Sequence, residues 1–153
     1  MKKRYFILLG LVICLILTGC GGGSKEVKST SDFNTVASNN GFTVNDNMST
    51  YNGNDYITDA MVATTSDITI EMVIYDSMEN ANKVQEGQID SFNLLKSTGA
   101  SEKKDKGDNY YKYFLISNNY YMVSSRVDNT LIFCKTSLTN KEEVDKILDQ
   151  IGY

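Results

Sequence analysis

Histidine, tryptophan and proline are absent from the 153 residues, and cysteine occurs only three times. Without histidine there is no Ser-His-Asp or Cys-His catalysis, no His-ligated zinc, and no use of the commonest general base near neutral pH. Without tryptophan, any aromatic platform for a sugar or cation falls to the ten tyrosines and six phenylalanines. The missing proline accompanies abundant Asn, Lys, Ile and Tyr, a composition typical of AT-rich coding, and carries no mechanism. No glycine-rich phosphate loop, GxSxG elbow or CxxC pair occurs either. The sequence therefore implies no cofactor, no metal and no catalytic residue, and points to a non-enzymatic protein.

A long apolar run is also missing. The longest, Phe6 to Leu17, is interrupted by Gly10, follows Lys2, Lys3 and Arg4, and gives way to Thr18-Gly19-Cys20-Gly21-Gly22-Gly23-Ser24. A membrane-crossing helix needs about 20 apolar residues, so this run reads as the h-region of a signal peptide. Leu17-Thr18-Gly19-Cys20 resembles the lipobox of bacterial lipoproteins, in which a small residue precedes a cysteine that receives a diacylglyceryl group before the leader is removed. The resemblance implies a signal peptide over 1–19, lipidation of Cys20, and a location on the extracytoplasmic side of the cell membrane. An ordinary secretory leader with a cysteine at its cleavage point is the alternative. Two acyl chains would hold the protein stably where one holds it only reversibly. Residues 20–29 then read as the lipidated cysteine and a flexible Gly/Ser/Lys tether, with a reach of roughly 15 to 18 Å.

Removal of residues 1–19 leaves 134 residues, enough for one core over 30–153. Lys2, Lys3 and Arg4 account for three of the 15 basic residues, so the remainder carries 12 against 19 acidic ones, a formal charge of −7. That balance disfavours nucleic acid and anionic lipid as broad electrostatic partners. Cys14 leaves with the leader and Cys20 is consumed by lipid, so Cys134 has no partner for an intramolecular disulfide. Flanked by Leu131, Ile132 and Phe133, it reads as a buried small apolar residue.

The order of elements is helix, hairpin, helix, meander, helix. Ser31 is a candidate cap for a first helix with Phe33, Val36 and Ala37 on one face and Asn40-Gly41 at its end. Asn45 to Asp55 reads as loop. Tyr56–Thr64 and Ile68–Tyr75 read as strands turning at Thr65-Ser66, which gathers Ile57, Met61, Ala63, Ile68, Ile70, Met72 and Ile74 on the one clear core face. Asp76 with Glu79 resembles a capping box for a helix reaching to about Thr98, with Gly87 in its interior. Gly99 to Asn109 reads as a charged loop. Tyr110–Ser117, Tyr120–Val127 and Thr130–Ser137 form a meander turning at Asn118-Asn119 and Asp128-Asn129. Thr139 with Glu142 opens the last helix, whose Val144, Ile147, Leu148 and Ile151 must dock on the sheet. The expected fold is thus α+β, a single antiparallel sheet of about five strands packed with three helices.

The two-residue turns fix the meander's faces. Tyr110, Phe114, Ile116, Tyr121, Val123, Val127, Ile132 and Cys134 make one, the core. The other carries Tyr111, Tyr113, Leu115, Tyr120, Met122, Leu131 and Phe133 with Ser124, Arg126 and Lys135, too apolar for a freely solvated face. Either a helix covers it, the first or the last, or it stays partly exposed and binds a protein or peptide partner, with Tyr111, Tyr113, Tyr120, Met122 and Phe133 as anchors and Arg126 as polar handle. A shared sheet edge or a dimer is the third option. The acidic loops lack the spacing of a calcium loop.

These features together suggest a lipid-anchored envelope lipoprotein with a non-catalytic binding or accessory domain, loosely similar to small lipoproteins of Gram-positive bacteria. The alternative is a small envelope hydrolase using carboxylates, which requires two acids in one concavity and at least one with raised proton affinity.

Overall fold

Two-residue turns set the middle of the fold. Asn118 and Asn119 both take positive φ, 51° and 63°, as a type I′ hairpin needs, and Asp128 does so at 48°. β5 (Tyr110–Ser117), β6 (Tyr120–Val127) and β7 (Thr130–Ser137) therefore pair antiparallel with Ser117 opposite Tyr120 and Val127 opposite Thr130. This register puts Tyr110, Tyr121, Val123, Val127, Ile132 and Cys134 in the main core, as their alternation requires. The computed structural model describes residues 22–153, so the expected signal peptide and Cys20 lie outside the described residues.

The sheet has seven strands rather than about five, in the order β1-β2-β3-β7-β6-β5-β4. Both additional strands are edges; β4 lies wholly in a stretch expected to be loop, and β1 runs into one from Asn45. β1 (Thr43–Asp46) pairs with β2 (Ile57–Thr64), and β4 (Ser101–Lys106) pairs with β5. All six residues of β4 are exposed, so no apolar alternation marks it. Its Ser-Glu-Lys-Lys-Asp-Lys sequence carries charge along an open edge, a common defence against pairing with another chain.

β2 and β3 (Thr69–Tyr75) turn at Ser66-Asp67, with the Thr65 amide donating to the Ile68 carbonyl at 2.9 Å, one residue later than expected. The shift moves the pairing sum by two, so Ala63 is now opposite Ile70 and Met61 opposite Met72, and the expected core face is kept. A register irregularity between Ile57 and Asp59 then carries Ile57 to the opposite face, where it packs with Ala60, Val73 and Tyr75. Both faces of this hairpin are core, which corrects the expectation of one.

α1 (Thr30–Asn39) starts at Ser29, not Ser31. The Ser29 hydroxyl accepts from the Asp32 amide while the Asp32 carboxylate accepts from the Ser29 amide. It ends in a Schellman motif: the Phe42 amide donates to the Ala37 carbonyl at 3.1 Å and Gly41, at φ 85°, to that of Ser38 at 3.0 Å. α2 (Met78–Asn93) is capped by Ser77, whose hydroxyl accepts from the Asn80 amide, and stops at Leu94 rather than Thr98. A 3-10 turn over Leu138–Asn140 precedes α3 (Lys141–Ile151), which has no side-chain cap from Thr139. Val144, Ile147, Leu148 and Ile151 of α3 are buried against the main core together with Phe33 and Ala37 of α1. Burying each large side chain contributes about 1.5–3 kcal/mol, ample to hold these helices without perfect caps.

Gly87 interrupts the exposed side of α2, and a Cβ there would meet nothing within 4 Å. Gly87→Ala should stabilise the domain by about 1 kcal/mol, raising the melting temperature by roughly 4 °C in a circular-dichroism scan. No change would mean that α2 is frayed at its centre.

Candidate functional site

α2 lies across the second face of the sheet, while α1 and α3 both pack on the first. A helix does cover the Tyr/Met/Phe face, but it is the middle helix, not the first or last. Tyr113 and Met122 are fully buried with Leu115 and Phe92, so neither is available as a partner anchor. The Tyr113 hydroxyl lies 2.9 Å from Asn93 Oδ1 and 3.0 Å from Glu102 Oε2, and burial, then the Glu102 contact, raises its pKa well above the phenol range. Tyr111 and Phe133 are half-buried at the rims of the covered face. Tyr120 stands apart at the β5–β6 end, 48% exposed, with Lys135 Nζ 5.1 Å from its ring centroid. The six residues of the candidate partner surface are therefore split between core, rim and a distant turn.

Arg126 keeps a distinctive place. It is the one charged side chain among the buried described residues, 7% exposed. Pairing puts Val73, Leu131, Arg126, Tyr111 and Lys106 in one row across β3, β7, β6, β5 and β4. Arg126 Nε donates to Gln85 Oε1 at 3.2 Å, and Nη1 donates to the carbonyls of Asp128 at 2.9 Å and Asn109 at 3.3 Å. Nη2 has no protein acceptor, and no carboxylate lies within 4 Å of the guanidinium among the described residues. Burial lowers its proton affinity, and the more distant Asp128 opposes that. Burying a cation is costly unless it is paired, so this arrangement stands out.

Gln85, only 2% exposed, holds the guanidinium from above. Its Nε2 also donates to the carbonyls of Tyr111 at 2.8 Å and Ser124 at 3.3 Å, pinning α2 to the sheet. The sequence signal for it is positional: Gln85 takes the i+4 place between Ala81 and Ile89, in the middle of the apolar stripe.

Between α2 and the β4–β5 edge runs a groove of about 690 Å³ with Arg126 and Gln85 on its floor. Met78, Ile89 and Tyr111 give it apolar walls; Lys104 and Lys106 stand on one side, with Glu86 and Asp108 also lining it. A second concavity, along the outer face of α3, is an open shelf lined by Glu142, Asp145, Lys146, Asp149 and Gln150. Solvated helix-surface charge accounts for it. Among the described residues no group of three or more Cys, Asp or Glu is arranged to hold a metal ion. The proton affinities of the Asp32 and Glu102 carboxyls are both lowered, Asp32 through its Ser29 hydrogen bonds and Glu102 through Lys96 and then Tyr113. A general acid needs the opposite shift. Cys134 is buried, and burial pushes its thiol up to about 12, as expected of a packing residue rather than a nucleophile.

Residues 22–29 have no regular secondary structure, yet they are tied to the domain. The Lys25 amide donates to Asn109 Oδ1 at 2.8 Å, Asn109 Nδ2 donates back to the Lys25 carbonyl at 2.8 Å, and Lys25 Nζ lies 4.7 Å from the Tyr110 ring centroid. The segment expected to be a free tether over 20–29 is thus held from Lys25 onward. No helix among the described residues is long and apolar enough to cross a membrane.

No family model matches the chain, and no curated protein matches its sequence. Among solved structures, a GTP binding regulator from Thermotoga maritima is similar over 82% of this chain and 85% of its own, at 16% identity and a TM-score of 0.46, a likeness too slight to bear on ligand or activity.

Proposed function

We propose that this chain is an extracytoplasmic lipoprotein, held at the cell membrane by lipid on Cys20, whose α+β domain binds a ligand in the groove between α2 and the β4–β5 edge without transforming it. The observation that carries the binding part is the buried, carboxylate-free Arg126 opening into that groove. Ligand sites typically pair apolar walls with a few fixed polar groups, as Met78, Ile89 and Tyr111 do here with Gln85 and Arg126. The anchoring part rests on the leader and its lipobox-like end.

Cys20→Ala should abolish incorporation of labelled palmitate and leave the leader uncleaved by lipoprotein processing. Equal labelling of wild type and variant would defeat the anchoring part.

A further inference from the structure

Three cations and two carboxylates line the groove, leaving one net positive charge. Arg126 and Lys106 are in the same cross-strand row with Tyr111 between them, and Lys104 follows two residues along β4. Neighbouring strands lie about 4.8 Å apart, so the Arg126 and Lys106 backbones are within about 10 Å of each other. Lys106 has no ion-pair partner among the described residues; Lys104 shares Glu102 with Lys96, its Nζ being 3.7 Å from Glu102 Oε1. Of the two acids lining the groove, neither Glu86 nor Asp108 pairs with any of these cations.

The guanidinium is also fixed. Gln85 and two backbone carbonyls occupy Nε and Nη1, which orients the plane before any ligand arrives and leaves Nη2 as the donor for it. A preset donor loses little rotamer freedom on binding, and a charge-assisted bond to it is roughly twice as strong as a neutral one. One free guanidinium nitrogen, with its two N–H groups, and one net charge suit a monoanion better than a phosphate dianion, which the nearby Glu86 and Asp108 would oppose. The apolar flank of Met78, Ile89 and Tyr111 asks for a hydrophobic body on the same molecule.

We infer that the groove takes an organic carboxylate on a small apolar body, with Arg126 as the fixed anchor for the carboxylate and Lys106 as an electrostatic guide at the rim. This rests on the groove being the binding site proposed above. A free acyl amino acid and the C-terminus of a short peptide share that chemistry.

The test is equilibrium dialysis of radiolabelled N-acetyl-leucine against the processed, lipidated protein in phosphatidylcholine nanodiscs. Saturable binding is expected in the millimolar range or tighter. N-acetyl-leucinamide, the neutral counterpart, should displace the label at least about tenfold less well, and inorganic phosphate at matched ionic strength should not displace it. Arg126→Gln should weaken binding about tenfold or more, and Lys106→Gln about two- to threefold. Arg126 also braces the β6–β7 turn, so a thermal melt accompanies each variant; if Arg126→Gln does not fold, Lys106→Gln and the acid–amide comparison decide. Acid and amide binding alike would overturn the carboxylate assignment while leaving the groove as a site. Acid binding untouched by both groove variants would place the ligand elsewhere and overturn the groove itself, and absence of saturable binding would overturn the carboxylate assignment. Acetyl-Ala-Ala-Leu with a free carboxylate separates the sources: stronger displacement than by N-acetyl-leucine marks peptide termini, and equal or weaker displacement marks small acids.

Discussion

Tyr113→Ala should destabilise the domain by about 3–5 kcal/mol, a large share of the roughly 5–15 kcal/mol that holds a domain of this size. The ring is fully buried beneath α2, in contact with the cluster that includes Leu115, Met122 and Phe92, and its removal leaves a cavity between helix and sheet. Two further partners are lost with it, because the hydroxyl ties Asn93 at the end of α2 to Glu102 on the β4 edge. Tyr113→Phe separates the two contributions: the ring stays, and the loss should be about 1 kcal/mol. Urea unfolding of the three proteins measures this directly. A Tyr113→Ala loss below about 1 kcal/mol would mean that α2 does not cover the sheet, and the partner surface read from sequence would return.

Gly107→Ala should cost about 1–3 kcal/mol and loosen the segment before α1. Backbone angle is not the reason, because Gly107 does not have positive φ. Space is: a Cβ would sit 2.1 Å from Tyr110 Cε1 and 2.4 Å from the Gly23 carbonyl oxygen. The Tyr110 ring is itself buried and carries Lys25 over its face, so the least costly relief is for residues 22–25 to lift away, breaking the paired bonds between Lys25 and Asn109. Amide exchange at Lys25 should accelerate, while the amides of β6 and β7 keep their order of protection. The same substitution at Gly87 has the opposite sign, since that position has open space. Unchanged stability and unchanged Lys25 exchange in Gly107→Ala would show that the segment is not docked.

The meander was legible from sequence because its turns are two residues long and made of Asn and Asp, which fixes register and therefore every face. The α3 stripe was legible for the same kind of reason: four apolar residues at helical spacing all reach the core. β4 was not legible, because an exposed edge strand needs no apolar side chain and Glu102 to Lys106 reads as solvated charge. β1 hid among Asn and Asp for a similar reason. The fate of Ile57 depends on a bulge, which pattern alone does not mark.

The candidate site was half legible. Arg126 was singled out as a polar handle, but on a surface that turned out to be the underside of α2. Faces can be read from turn geometry; which helix covers a face depends on connection lengths and chain direction across the whole sheet, and the polar stretches before β2 and after α2 each concealed a strand. Gln85 was missed because a polar residue inside an apolar stripe looks like an imperfection until its three hydrogen bonds are seen.

The mass of the first tryptic peptide of the protein extracted from native membranes tests the anchored state most directly. A fragment starting at Cys20 and ending at Lys25, heavier than its six residues by a diacylglyceryl group, is the expected result. A fragment retaining residues before Cys20, or one starting there without acyl mass, would contradict it.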